Sequence, residues 1–194
     1  GLSTLRGRLA VVPQETFLFK GTWRDNLDPM DEFEEEQLQA VLRLTRLQNW
    51  LLRNAPRGLD EPVAEPEALG PAAVLLSLSR ALLRLLQGRS KLLLLDSVTC
   101  RLTMASDADL TALILRYCRR RGVAVLQASR RLQQAPLYDE VAAMRGGRIL
   151  EQAPPKKLWA QDGAFRRMAR DQGLESGKLT KPDGMAARLA SVGG

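Results

Sequence analysis

Apolar and polar positions in this chain recur at two periods. In residues 5–12 (LRGRLAVV) they alternate and then run together into Pro13, which predicts a short strand ended by a residue with no N–H for the ladder. The stretch 17–29 (FLFKGTWRDNLDP) is rich in turn formers and predicts a loop. From Asp31 the acidic run DEFEEE suits the positive end of a helix dipole. Leu38, Val41, Leu42, Leu44, Thr45 and Leu47 then carry one helix on to about Leu52. Pro56, Pro62, Pro66 and Pro71 mark 54–71 as loop. Residues 72–86 read as an apolar helix stopped by Gly88, and 91–96 (KLLLLD) as a buried parallel strand ending in a carboxylate.

The second half keeps the alternation. Leu110, Leu113, Ile114 and Tyr117 have helical spacing within 107–121, a basic last turn follows, and Gly122 is a C-cap. A strand is predicted at 123–126. Residues 141–144 and 148–151 flank Gly146-Gly147 as a hairpin, and 154–170 reads as a final helical segment. From Gly173 onward Gly, Ser, Lys and Ala predict a flexible tail, 173–194. Strands alternating with helices indicate an α/β domain with a largely parallel sheet, and no internal repeat is present.

Composition narrows the chemistry. The 194 residues contain no His, which excludes imidazole-based zinc sites, Ser-His-Asp and Cys-His catalysis. Two Cys, Cys100 and Cys118, are too few for a disulfide framework and point to a reducing compartment. The apolar run 72–86 contains Arg80 and Arg84 and is shorter than the roughly 20 residues a bilayer span needs, so it reads as a buried helix. Net charge is 29 − 22 = +7, and 23 of the 29 cations are Arg, a bias that codon composition alone can produce. Arg116, Arg119, Arg120, Arg121, Arg130 and Arg131 cluster in sequence. Only Tyr117 is interleaved and no nucleic-acid module signature is present, so nucleic acid is the weaker reading; a helix end complementing its dipole explains 119–121 equally well.

Three motif strings carry a resemblance. VVPQETFLF with KGTWRDNLDP, SRALLRLLQGRSKLLLLD, and DEVAAMRGGRILEQAPPKKLW occur in the order found in ABC transporter nucleotide-binding domains. The chain resembles the second such domain of the multidrug-resistance-associated, C-type exporters from Gly1 to about Ala169, which implies a partial domain over 1–172 with a helical subdomain at about 31–86. The resemblance implies a P-loop NTPase-like α/β fold lacking its N-terminal P-loop portion. It also implies ATP and Mg²⁺ as the family's cofactors, and transmembrane domains and a second nucleotide-binding domain as partners. The address it implies is the cytoplasmic face of a membrane.

Under that resemblance Gln14 is the Q-loop glutamine and Asp96 the Walker B aspartate; the two are the candidate nucleotide- and metal-binding residues. A surface Gln, and a strand-end Asp that caps the following turn, are the plain structural alternatives. Other positions depart from the family. The G-x-x-x-x-G-K-[ST] loop is missing, because Gly1 already falls past it, and Lys20-Gly21-Thr22 lacks the upstream glycines of a phosphate cradle. Ser97 replaces the catalytic glutamate, and a hydroxyl cannot polarise water as a carboxylate does. Arg130 falls where the switch His stands, followed by Arg131 and Leu132, and Thr103 falls on the D-loop aspartate.

The signature motif falls on Ala68-Leu69-Gly70-Pro71-Ala72, where Leu69 has no hydroxyl and Pro71 no N–H for a phosphate. Apolar faces persist while polar chemistry is replaced, so the chain is expected to be catalytically silent by itself. Without the upstream strands, Leu75, Leu78, Leu82 and Leu85 are expected to stay partly uncovered. The alternative function is a silent structural or protein-interaction module inside a larger assembly.

Overall fold

The computed structural model describes residues 1, 7–64, 69–98 and 104–174, without the side chains of 104–106. Thr103, Ala68 and most of the tail lie outside these residues. The chain folds as two compact units, one from 1–110 with 114–129, the other from 111–113 with 130–194.

In the first unit, β1 (Leu9–Val12), β2 (Leu92–Asp96) and β3 (Ala124–Ala128) form a parallel sheet in that order. Its register places Ala10, Leu93 and Val125 in one row and Val11, Leu94 and Leu126 in the next. Among the described residues five α-helices accompany it: α1 (Trp23–Leu27), α2 (Glu35–Thr45), α3 (Leu47–Asn54), α4 (Pro71–Leu86) and α5 (Met104–Arg120). The strand expected from residue 5 starts only at Leu9.

Two helical predictions change. The loop expected over 17–29 contains α1, because Thr22 and Asp25 form a reciprocal capping box: Thr22 Oγ1 accepts from Asp25 N at 3.1 Å, and Asp25 Oδ2 from Thr22 N at 2.8 Å. The single helix expected from Asp31 to Leu52 is two helices. Asp28 accepts from the N–H groups of Glu32 and Phe33, at 3.1 and 2.9 Å, and the helix starts only at Glu35. It breaks at Arg46, whose φ of 65° is left-handed, and the turn lets both Leu42 and Leu47 be buried.

Leu75, Leu78, Leu82 and Leu85 are covered after all, at 9, 1, 0 and 2% exposure, since α2, α3 and β1 pack against α4. A buried hydroxyl contact at 2.8 Å, Thr45 to Ser79, crosses from α2 to α4. Uncovered apolar surface lies instead on the sheet. Ala10, Val12, Leu93 and Leu95 are buried on one face, whereas Val11 is 49% and Leu126 63% exposed on the other, with half-buried Leu94 between them. Parallel sheets are ordinarily covered on both faces.

In the second unit, β4 (Val141–Arg145) and β5 (Arg148–Ala153) pair antiparallel around Gly146 and Gly147, both at positive φ, as the tightest hairpin turns require. The one helical segment expected over 154–170 is two helices, α6 (Pro155–Ala160) and α7 (Ala164–Asp171). Leu158 and Phe165 bury against Ala135, Ala143 and Ala153. Glu151 explains the break: its carboxylate accepts from Ala164 N at 2.8 Å and Phe165 N at 3.0 Å, capping α7 from β5.

Gly163 makes room for that carboxylate, since a Cβ there would lie 1.6 Å from Glu151 Oε1. Gly163→Ala is therefore expected to expel the cap and cost about 1–3 kcal/mol. Urea unfolding checks this, and the double variant with Glu151→Ala should lose little more than either single one, because both remove the same contact.

Candidate functional site

Parallel register aligns the carboxyl ends of the three strands along one edge, the edge at which open α/β sheets take ligands. Asp96 is the last residue of β2 and Gln14 follows β1 by two; both are exposed. Val12 pairs with Leu95, so the two candidates sit at the same end of neighbouring strands, which lie about 4.8 Å apart. Ser97 turns out of β2 with φ 49°, and its N–H donates to Ala128 O at 2.9 Å. Arg130 belongs to the second unit, where its carbonyl accepts from Gln172 Nε2 at 2.7 Å.

Residues 69–72, part of the segment expected to hold the signature motif, lead into α4. Leu69 is buried, Gly70 is the N-cap with φ 49° and no side-chain bond, and Pro71 occupies the first turn. No hydroxyl stands at the cap and the proline has no N–H, so this helix start has lost two of the donors an anion would use. Lys20-Gly21-Thr22 is structural: Gly21 O accepts from Val63 N at 2.8 Å and Thr22 caps α1.

A clasp that sequence reasoning missed fixes the loop after Gln14. Thr16 Oγ1 donates to Ala73 O, in the first turn of α4, at 3.1 Å. Asn26 is fully buried; its Nδ2 donates to Phe19 O and Thr22 O at 2.9 and 3.0 Å, and its Oδ1 accepts from Phe19 N at 2.8 Å. Arg80 reaches from α4 to the same place. Its Nη2 donates to Asn26 Oδ1 at 2.9 Å, its Nε to Asn26 O and its Nη1 to Phe17 O.

Half-burial pushes the Arg80 guanidinium down to about 10, which leaves it cationic at neutral pH, and it lies 5.5 Å from the centroid of the Phe19 ring. Phe17 and Phe19 meet edge to face at 5.1 Å and remain exposed. The signal was present as letters: Asn26 stands in the RDNLDP string and Arg80 in SRALL, 54 residues apart, and only the fold shows that they touch.

No family model matches the chain. It is 32% identical over 179 residues to ATP-binding cassette sub-family C member 2 of Mus musculus, covering 91% of this chain and 11% of that protein. Identity to sub-family C member 3 of Mus musculus is 36% over 177 residues, 90% of this chain and 11% of the relative. The ABC-type transporter cctS of Talaromyces islandicus is 33% identical over 193 residues, 96% and 12% respectively. Among solved structures, a bacterial Atm1-family ABC exporter with ATP bound aligns at a TM-score of 0.79 and 22% identity, over 89% of this chain and 30% of that one.

The chain belongs to the C-type ABC transporter family. It spans about a tenth of the length of the curated relatives it matches. Its fold is the P-loop NTPase-like α/β fold of ABC exporters, as expected.

An ABC domain implies ATP and Mg²⁺, and the residues described here do not fit that pair unaided. Asp96 is one exposed carboxylate and Gln14 one exposed amide, whereas Mg²⁺ takes an octahedral oxygen shell completed by substrate phosphates. The helix start that would meet a phosphate carries Pro71. Among the described residues no group of three or more His, Cys, Asp or Glu stands together. Cys118 is fully buried and its thiol is pushed up to about 11, so this ABC segment offers no thiolate nucleophile there at neutral pH. Among the described residues no helix is long and apolar enough to cross a membrane.

Proposed function

We propose that this chain is the C-terminal portion of an exporter's ATP-binding domain, silent towards ATP unless the rest of the domain is supplied. The observation that carries this reading is the composition of the sheet's carboxyl edge. Gln14 and Asp96 keep the oxygen-bearing groups suited to a metal–phosphate site, while Ser97 cannot polarise water as a carboxylate does and the α4 start, with Leu69 and Pro71, lacks a hydroxyl and one N–H for a phosphate. In the parent protein, a Gly-rich phosphate loop upstream of Gly1 would complete the site. Transmembrane domains and a second nucleotide-binding domain would be its partners, at the cytoplasmic face of a membrane, and ATP-driven solute export its activity.

One observation favours a second reading, a structural or protein-interaction module in a larger assembly: Val11, Leu94 and Leu126 form an apolar row that is half-buried at Leu94 and exposed at Val11 and Leu126. A phosphate loop and transmembrane helices encoded upstream would favour the exporter, and their absence the module. Titration calorimetry of the 194-residue chain with Mg-ATP tests the silence common to both. No heat of binding is expected up to about 1 mM, and a micromolar Kd would overturn the reading, because such affinity, about 8 kcal/mol, requires a phosphate site these residues do not form.

A further inference from the structure

Six cations from three separate segments, two loops and the end of α5 with the residue after it, gather at the amino-terminal end of the parallel sheet, opposite the edge that holds Gln14 and Asp96. Arg8 precedes β1, Arg89 and Lys91 precede β2, and Arg119, Arg120 and Arg121 precede β3; all six are exposed. Backbone bonds fix the loops side by side: Lys91 N donates to Arg8 O and Ala124 N to Lys91 O, each at 3.0 Å, and Ser90 Oγ donates to Gly7 O at 3.4 Å. Arg121 lies 4.0 Å over the Tyr117 ring. The segments 7–12, 84–95 and 113–127 that build this rim contain no Asp or Glu. Gln87, two residues before Arg89, donates its amide to the Glu32 carboxylate at 2.8 Å.

The contiguous cluster seen in the sequence is thereby divided. Arg130 and Arg131 follow β3, and Arg8, Arg89 and Lys91 take their place beside 119–121. Like charges gathered on segments that themselves carry no acid oppose the compact state, and an external anion relieves them.

We propose that this rim binds an acidic peptide segment. Guanidinium forks take carboxylates or phosphates in two parallel hydrogen bonds, and five of the six cations are Arg. Three strand ends about 4.8 Å apart span some 10 Å, the reach of a few residues of extended peptide. Among the described residues the three strand-start segments, 7–8, 87–91 and 119–123, present no exposed large apolar side chain with which to enter a bilayer and no exposed aromatic ring on which to stack a base. The inference does not depend on the nucleotide reading, which concerns the other end of the sheet.

The test is fluorescence anisotropy of a labelled octaglutamate peptide, and of its phosphoserine-containing counterpart, with the whole chain at about 50 and 200 mM salt. Micromolar binding that weakens as salt rises is expected. Arg89→Glu with Lys91→Glu should weaken it about tenfold or more, whereas the same charge change at the exposed hairpin residues, Arg145→Glu with Arg148→Glu, should alter it less than about twofold. Arg89→Gln with Lys91→Gln should show the same direction with a smaller loss, and circular dichroism verifies that each variant is folded. Equal losses in the rim and hairpin variants, or no binding at all, would overturn the proposal. Tighter binding of oligothymidine, or of phosphatidylserine vesicles, would overturn the choice of a peptide.

Discussion

Asn26→Ala should remove about 3–5 kcal/mol from the stability of the first unit, an unusually large effect for a polar residue. The magnitude follows from what the amide leaves behind. Phe19 N, Phe19 O, Thr22 O and Arg80 Nη2 all lose a partner, and water has no access to the place where the fully buried side chain stood. Each stranded group costs about 1–3 kcal/mol, partly recovered where the loop can relax towards solvent.

Urea unfolding followed by circular dichroism measures the loss, with an unchanged denaturant slope expected if only stability has moved. Arg80→Met should cost less alone, because it also removes the desolvated charge, and the two substitutions together should fall short of additivity by at least about 1 kcal/mol. An Asn26→Ala loss under about 1 kcal/mol would show that the loop from Thr16 to Thr22 is not clasped to α4.

Trp23→Ala is the second large effect, again about 3–5 kcal/mol. Trp23 is 2% exposed, and its ring meets Trp50 at 5.1 Å with a 50° tilt, so truncation opens a cavity and strands the face of its neighbour. Since folded domains hold only about 5–15 kcal/mol in total, this one change should leave the helical layer marginal at room temperature. Trp23→Phe should retain roughly half of the stabilisation. Leu52→Ala is the internal control: Leu52 is 79% exposed, and its loss should lie within about 0.5 kcal/mol of zero. If Trp23→Ala were as mild as the control, the first unit's core would not be organised around α1.

Much of this fold could be read from local pattern. The continuous apolar run of β2, the glycine pair of the hairpin and the amphipathic stretches of α4 and α5 all appear near their expected places, because each depends on periods of two or 3.6 within a few residues. The misses share a different cause. Helix α1 was hidden by turn formers although its Thr22-x-x-Asp25 capping box was in the string, a weak signal beside Gly21 and Pro29. The breaks at Arg46 and around Gly163 follow no apolar period. One arises as α2 and α3 both bury leucines in a shared core, the other as Glu151 arrives from β5 to cap α7. Likewise α4 was expected to have a bare face, and what stays bare is the outer row of the sheet, Val11, Leu94 and Leu126.

The sequence by itself determined the α/β class, the family through its ordered motif strings, and the chemical groups missing at Ser97, Leu69 and Pro71, since a missing hydroxyl, carboxylate or N–H is a property of the residue wherever it lies. Only the tertiary structure decided which distant residues are neighbours: Asn26 with Arg80, Glu151 with the start of α7, Arg8 with Lys91, and Lys91 with Ala124. The physical reason is that hydrophobic periodicity specifies how each segment coils or extends, whereas strand register and helix packing, set by the burial of the whole core, specify what its polar side chains meet.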